Sequence, residues 1–338
     1  MQPEPKLDAK AQVLKFAFDA VAGQSLMTIG AMGIADFIEP GSARPVAEIA
    51  RESGCDERSL YRMLRFLASY GVFEEKVGRN FAHTPVSEVL RTDAPDSSQP
   101  ATQLFRFLNQ SLTEVEHSVR TSESALAQVL GMPIFEYFHK YPKTAAMFDT
   151  AMMSIHGPET TAMLSAYDFS GIGTLADLGG GNGSLLVQAL KKYPQMMGIV
   201  MDLEHVVNRA KPILEAAGLA DRCAVHPVDF FEEVPPGADA YLMRHIIHDW
   251  KDEPSIQILK NCRKAVPSHG KLLLVEAVVP TGNDPSIAKN LDIGMMLWPG
   301  GMERTEQEYK DLFAASGFEL VGITPTPSPV SVIEARPV

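Results

Sequence analysis

From Ala11 to Ile38 apolar residues recur at three- and four-residue spacing, led by Val13, Leu14, Phe16, Ala17, Ala20 and Val21, which predicts a long helix stopped by Pro40-Gly41. The pattern then shortens. Pro45–Arg51 reads as a short helix, Ser53–Asp56 as a turn, and Glu57–Tyr70 as a second helix with Leu60, Met63, Leu64 and Leu67 on one face. Val72–Phe73 and Phe81–His83 flank a Gly78-Arg79-Asn80 turn and predict a short β-hairpin, completing a winged-helix-like order. Helical spacing continues to about Leu130. The Pro-, Ser- and Asp-rich segment 92–100 reads as a linker, which divides the chain into residues 1–100 and 101–338.

From Thr174 short apolar runs alternate with helical stretches. Strands are predicted at Thr174–Leu178, Gly198–Leu203, Ala224–Asp229, Ala238–Arg244 and Lys271–Val279, with helices over 184–193, 204–217 and 254–266. That alternation predicts an α/β, Rossmann-like, doubly wound and mainly parallel sheet. Phe318–Thr324 and Val330–Arg336 are joined only by a Pro-rich turn, too short for a crossover, so the last pair is predicted to be antiparallel.

Composition narrows the function classes. The 338 residues are 45% hydrophobic and 21% charged, as in ordinary folded domains. The 30 Lys and Arg against 42 Asp and Glu give a net charge of −12, which opposes attraction to nucleic acid or anionic lipid. Arg58, Arg62 and Arg65 lie at helical spacing on the second predicted helix, yet residues 1–100 hold 11 basic against 14 acidic side chains, so these arginines are expected on a solvated or interface face. Cys55, Cys223 and Cys262 form neither a disulfide framework nor a zinc pattern, which points to reduced thiols and a cytoplasmic location. MQPEPKLDAK has no signal-peptide character, and no run reaches the ~18 apolar residues of a membrane helix.

The sharpest local signal is a strand running into Asp177-Leu-Gly-Gly-Gly-Asn-Gly183 and then a helix. Such a loop brings a ligand close to the backbone at the helix N-terminus. GxGxxG fails in both registers, because Ser184 and Leu186 stand where the third glycine belongs, and this disfavours a dinucleotide. Asp177 precedes alternating Gly179, Gly181 and Gly183, and Asp202 ends the next strand, where it can accept both ribose hydroxyls. Two acids around a nucleoside suit S-adenosylmethionine, which has no pyrophosphate and carries cationic groups.

In these motifs the chain resembles the methyltransferases of the plant caffeate and acetylserotonin O-methyltransferase type, whose bacterial members act on phenazines and polyketides. The resemblance covers nearly the whole chain and rests on DLGGGNG at 177–183, MDL at 201–203, VDFF at 228–231, MRHIIHDWKDE at 243–253, VEAVVP at 275–280 and PGGMERT at 299–305. It implies an N-terminal dimerisation domain, a homodimer, and S-adenosylmethionine held by Asp177, Gly179, Gly181, Asp202, Leu203, Asp229, Phe230 and Arg244, with Arg244 standing where the family usually has lysine. It also implies His248 of the His-Asp-Trp motif as general base, with Glu276 and Glu303 as the carboxylates that orient it. A phenol with pKa about 10 is mostly neutral at pH 7, so a base is needed to make its oxygen nucleophilic.

His245 and His248 next to Asp249 lack an identifiable third ligand, so metal-independent transfer is expected. Met147, Met152, Met153, Met163, Met295, Met296 and Met302 either line an aromatic-substrate pocket or fill cores. Met152, Met295, Trp298 and Asp249 are the candidate substrate contacts. Trp298 precedes Pro299 where many plant members have a substrate-touching Asn. The expected activity is O-methylation of a small aromatic or polyketide-like metabolite. The alternatives are C- or N-methylation, a non-methylating activity on the same fold, and a metabolite-sensing winged-helix regulator.

Overall fold

The computed structural model describes residues 8–338, so the reading of the leading residues MQPEPKL falls outside the described residues. The chain forms two compact units: residues up to Gln110 with Glu136–His156, and Ser111–Phe135 with Gly157–Val338.

In the first unit the opening helix, Ala9–Ala31, starts at Asp8, whose side chain accepts from the backbone N–H of Ala11. The predicted single helix to Ile38 is interrupted at Gly33, which takes a left-handed φ of 66° and hands over to a 3₁₀ turn at Ile34–Phe37. Pro45, read as the first residue of a helix, instead ends strand β1, Ala43–Pro45, a correction with a plain cause. Proline has no N–H to donate but tolerates a short edge strand, and the helix begins one residue later at Val46–Ser53. The second helix, Glu57–Ser69, is capped by Asp56, and β2 (Phe73–Lys76) and β3 (Asn80–His83) follow. β1 pairs with β3 to make a three-stranded β1-β3-β2 sheet over a core of Ile34, Ile49, Leu64, Phe73 and Phe81.

Arg58, Arg62 and Arg65 are exposed. The Gln99–Leu108 helix begins inside the predicted linker and packs on Ala9–Ala31 at Gly30, where a Cβ would stand 2.7 Å from the Thr102 side chain. This contact carries the unit past residue 100. Val13, Leu14, Phe16, Phe18 and Val21 of the opening helix remain exposed.

The second unit contains seven strands: β4 (Thr174–Leu178), β5 (Met197–Asp202), β6 (Cys223–Pro227), β7 (Ala240–Arg244), β8 (Lys271–Glu276), β9 (Phe318–Pro325) and β10 (Ser331–Pro337). Their order is β6-β5-β4-β7-β8-β10-β9; the first five run parallel, and β10 lies antiparallel between β8 and β9. Buried apolar clusters cover both faces, one around Leu175, Leu186 and Leu190 and the other around Tyr241, Leu259 and Phe313. The order reverses between β4 and β7, and the crevice beyond the carboxyl ends of such strands is where open α/β sheets bind ligands. Among the described residues no helix is long and apolar enough to cross a membrane.

Candidate active site

The carboxyl ends of β4, β5, β7 and β8 bring most of the predicted site residues together. After β4 the chain turns through Gly179, Gly181 and Gly183 at φ of 72°, 58° and 76°, a backbone that side-chain-bearing residues adopt only with strain. A Cβ at Gly179 would fall 2.3 Å from Ile246 Cδ1, whereas one at Gly181 would meet nothing within 4 Å. Asp202 closes β5 and binds the loop: Oδ2 accepts from Gly181 N at 2.9 Å and Oδ1 from Leu203 N at 2.7 Å. Each oxygen keeps acceptor capacity for one more donor, which matches a ribose diol.

Asp177 is buried, and its Oδ2 has no hydrogen-bond partner; burial pushes its carboxyl up to about 7 against the pull of Arg244. Burial also raises Asp202, opposed by its two backbone donors. A buried acid without a donor beside an acid-lined glycine loop fits a cationic nucleoside, and the chain's own groups therefore suit S-adenosylmethionine. Leu203 is exposed beside Asp202, Asp229 is exposed, and Phe230 is half-buried near Gly179. Arg244, at the end of β7, donates from Nη1 to Thr160 Oγ1 at 2.6 Å.

His248 stands on a single 3₁₀ turn, Ile247–Asp249, just after β7. Its Nδ1 lies 2.7 Å from Glu303 Oε1 and 3.5 Å from Glu276 Oε2, and its Nε2 lies 3.6 Å from Asp249 Oδ1. Glu276, the last residue of β8, accepts from the backbone N–H groups of Ile246 and Ile247 at 3.0 Å each, so it also shapes the turn. Burial opposes a charge on His248, but the carboxylates of Glu276, Asp249 and Glu303 outweigh it and hold the imidazole up at about 10. Burial lifts Glu276 to about 7 and Asp249 to about 6, each against the attraction of His248.

The loop 299–305 reaches this turn at several points. Met302 N donates to His248 O at 2.9 Å, and Gly301 comes so close that a Cβ there would lie 2.1 Å from His248 O. Arg304 is fully buried, with its guanidinium on Ile247 O, Trp250 O, Ser255 Oγ and Asp252 Oδ1. Sequence reasoning passed over Arg304 although it lies within PGGMERT. It weighed His245 only as a metal ligand and missed its partner: the residue has φ of 54°, and its Nε2 lies 2.7 Å from Glu159 Oε2. Glu159 is 86 positions away and carried no local signal. Burial, with the charge of His248 adding to it, holds His245 well below the usual histidine range.

His245, His248 and Glu276 offer ligand atoms within 4.8 Å of one another, so Glu276 stands where a third ligand would be needed, a placement that spacing did not reveal. The same groups are engaged with Glu159, Glu303 and the backbone of the turn.

Of the predicted substrate contacts, Asp249 is beside His248, and Met295 is buried on the Ile287–Leu297 helix that Trp298 follows. The Trp298 ring lies over Gly294, where a Cβ would meet it at 2.6 Å. Met152 is half-buried in the other unit. Met163 belongs to the sheet core and Met153 is exposed. A cleft of about 780 Å³ is lined by Asp249, Trp250, Ser124, Pro133 and Pro299, among others, with His248 outside its lining.

A doubly wound sheet with an antiparallel final pair, an acid-flanked glycine loop and a carboxylate-bound histidine defines an S-adenosylmethionine-dependent methyltransferase. The chain belongs to the O-methyltransferase family: it matches the O-methyltransferase domain over residues 111–319 and the O-methyltransferase dimerisation domain over residues 14–93. It is 40% identical over 316 residues to the phenazine O-methyltransferase PhzM of Lysobacter antibioticus, covering 93% of this chain and 92% of that one. The crystal structure of LaPhzM superposes with a TM-score of 0.89 at 39% identity, covering 98% of this chain and 100% of that one. The O-methyltransferase NcsB1 from neocarzinostatin biosynthesis, solved with S-adenosylmethionine and 2-hydroxy-5-methyl naphthoic acid, aligns with a TM-score of 0.83 at 29% identity, over 94% of this chain and 96% of that one. The enzyme uses S-adenosylmethionine, and residues 14–93 are the dimerisation domain of its homodimer.

Proposed function

We propose that this O-methyltransferase acts on a hydroxyl of a small aromatic or polyketide-like metabolite with His248 as general base. The observation that carries the reading is the 2.7 Å contact between His248 Nδ1 and Glu303, backed by Glu276. It fixes the tautomer, turns Nε2 into the working nitrogen and stabilises the imidazolium that forms. The surrounding carboxylates raise His248 to about 10, which makes the imidazole a stronger base toward a phenol of pKa about 10 than a free histidine is. When bound, S-adenosylmethionine supplies an electrophilic methyl group on a sulfonium. The chain's part is to hold the acceptor oxygen in line and accept its proton at Nε2; a positioned base is worth roughly 10²–10⁴-fold.

Asp177, Gly179, Gly181, Asp202, Leu203, Asp229, Phe230 and Arg244 are assigned to the cofactor, and Asp249, Met295 and Trp298 to the acceptor. The first hundred residues are assigned to dimerisation and the remainder to methyl transfer. Unpaired thiols at Cys55, Cys223 and Cys262 support a cytoplasmic location.

The test is transfer of labelled methyl to a panel of phenols, hydroxyquinones, hydroxyphenazines and hydroxynaphthoates by wild type and His248→Ala, with S-adenosylhomocysteine affinity measured in parallel. A loss of at least a hundredfold at unchanged affinity supports the reading. Full activity in the variant overturns the base assignment.

A further inference from the structure

We infer that Arg304 is a positioning residue for the base, an inference that rests on the assignment of His248. Arg304 is the largest fully buried side chain among the described residues, and its guanidinium hydrogen bonds run to residues 247–255, the turn that carries His248 and the helix that follows. Nη1 donates to Ile247 O at 3.2 Å and Nη2 to Trp250 O at 3.0 Å, so the two carbonyls that bracket His248 are tied to one rigid plane. Nε and Nη2 converge on Asp252 Oδ1 at 3.1 and 2.8 Å, and that carboxylate is largely exposed.

The residues just before Arg304 continue the same contact, Glu303 through its carboxylate to the imidazole and Met302 through its N–H to His248 O. Met302 and Glu303 thus grip the backbone and ring of His248, and Arg304 holds the carbonyls on either side of it. A single 3₁₀ turn has few hydrogen bonds of its own, so its position is set by these outside partners. Arginine suits the task because its planar fork reaches several acceptors in fixed directions, which a lysine ammonium cannot do. Displacing a catalytic group by about 1 Å costs roughly a hundredfold in rate.

Arg304→Lys keeps the charge and removes the fork. The expected result is a 10- to 100-fold fall in kcat, with KM for the acceptor and Kd for S-adenosylhomocysteine changed less than threefold. In a His248→Ala background the same substitution should cost nothing further, because there is no base left to position. Full activity of Arg304→Lys, an equal loss in both backgrounds, or a parallel loss of cofactor affinity would each overturn the inference. If Arg304→Lys fails to fold, Asp252→Ala removes the exposed anchor of the guanidinium and should give the same pattern at 3- to 10-fold; unchanged kcat refutes the role. His248→Ala retaining full activity refutes the base assignment itself, whereas an inactive His248→Ala beside a fully active Arg304→Lys refutes only the role of Arg304.

Discussion

Replacing Glu303 by Gln tests the electrostatics of the base most directly. The carboxylate touches His248 Nδ1 at 2.7 Å inside the protein, while Glu276 remains as a second acid at 3.5 Å. A hydrogen bond to a charged group is worth about 1.5–3 kcal/mol, and one pKa unit is about 1.4 kcal/mol, so the imidazole should fall by about 1–2 units. From its raised position near 10 it would drop to about 8–9. The assay is kcat/KM against pH from 6 to 10.5 for one phenolic acceptor, wild type beside variant. Ionisation of the acceptor is common to both, so the displacement between the two curves reports the enzyme.

In wild type the deprotonated base is scarce at pH 7, and the rate should climb about tenfold per unit as pH rises toward the base's pKa. In Glu303→Gln the rise should level off 1–2 units earlier, onto a plateau at least tenfold lower because the neutral amide, although its oxygen still accepts from Nδ1–H, no longer stabilises the cation. A rise in the same place in both enzymes, or an undiminished plateau, refutes the argument.

Stability should follow the same protons. His248 has a raised folded pKa, so its contribution is complete below about 6.5 and is lost as pH rises through 10; the melting temperature of the unliganded protein, read by scanning fluorimetry, should fall over that window and fall less in His248→Gln. Gly301→Ala drives a Cβ to 2.1 Å from His248 O and 2.4 Å from Asp249 C, backbone atoms that cannot swing aside, so turnover should drop more than a hundredfold while S-adenosylhomocysteine still binds in calorimetry. Asp202→Ala should weaken that ligand roughly 10- to 100-fold by removing the acceptor for two hydroxyls and freeing the Gly181 N–H. Phe16→Glu places a charge in the exposed stripe of the opening helix, and sedimentation should show monomer at micromolar concentration where wild type is dimeric.

Much of the sheet and its cofactor edge was legible because both depend on short-range signals. β4 falls on its predicted bounds, and the acids at 177 and 202 sit where the alternating strands require. The predicted helix over 204–217 is instead two, Glu204–Val207 and Ala210–Ala216. A continuous helix would need an N–H from Pro212; breaking it near Asn208 puts the proline in a first turn, where no N–H is required. β1 was not legible because three residues become a strand only by pairing with β3. The Glu159–His245 contact and the return of 136–156 to the first unit depend on distant partners, which periodicity does not encode. Arg304 stood in a recognised motif, but only burial reveals that a surface-type residue faces inward.

The placement of β10 between β8 and β9 has a consequence for synthesis. Ser331 is registered against Glu276, so the strand that ends in a proposed catalytic carboxylate has its second neighbour only after some fifty more residues have been added. Until residues 331–337 emerge, β8 is an open edge with unpaired N–H and C=O groups, and β9 has nothing to join. At 5–20 residues per second, that interval lasts seconds on the ribosome. The nucleotide-binding half can settle early, while the half that supports the base waits for the final strand, which makes nascent chains stalled before residue 331 candidates for chaperone capture.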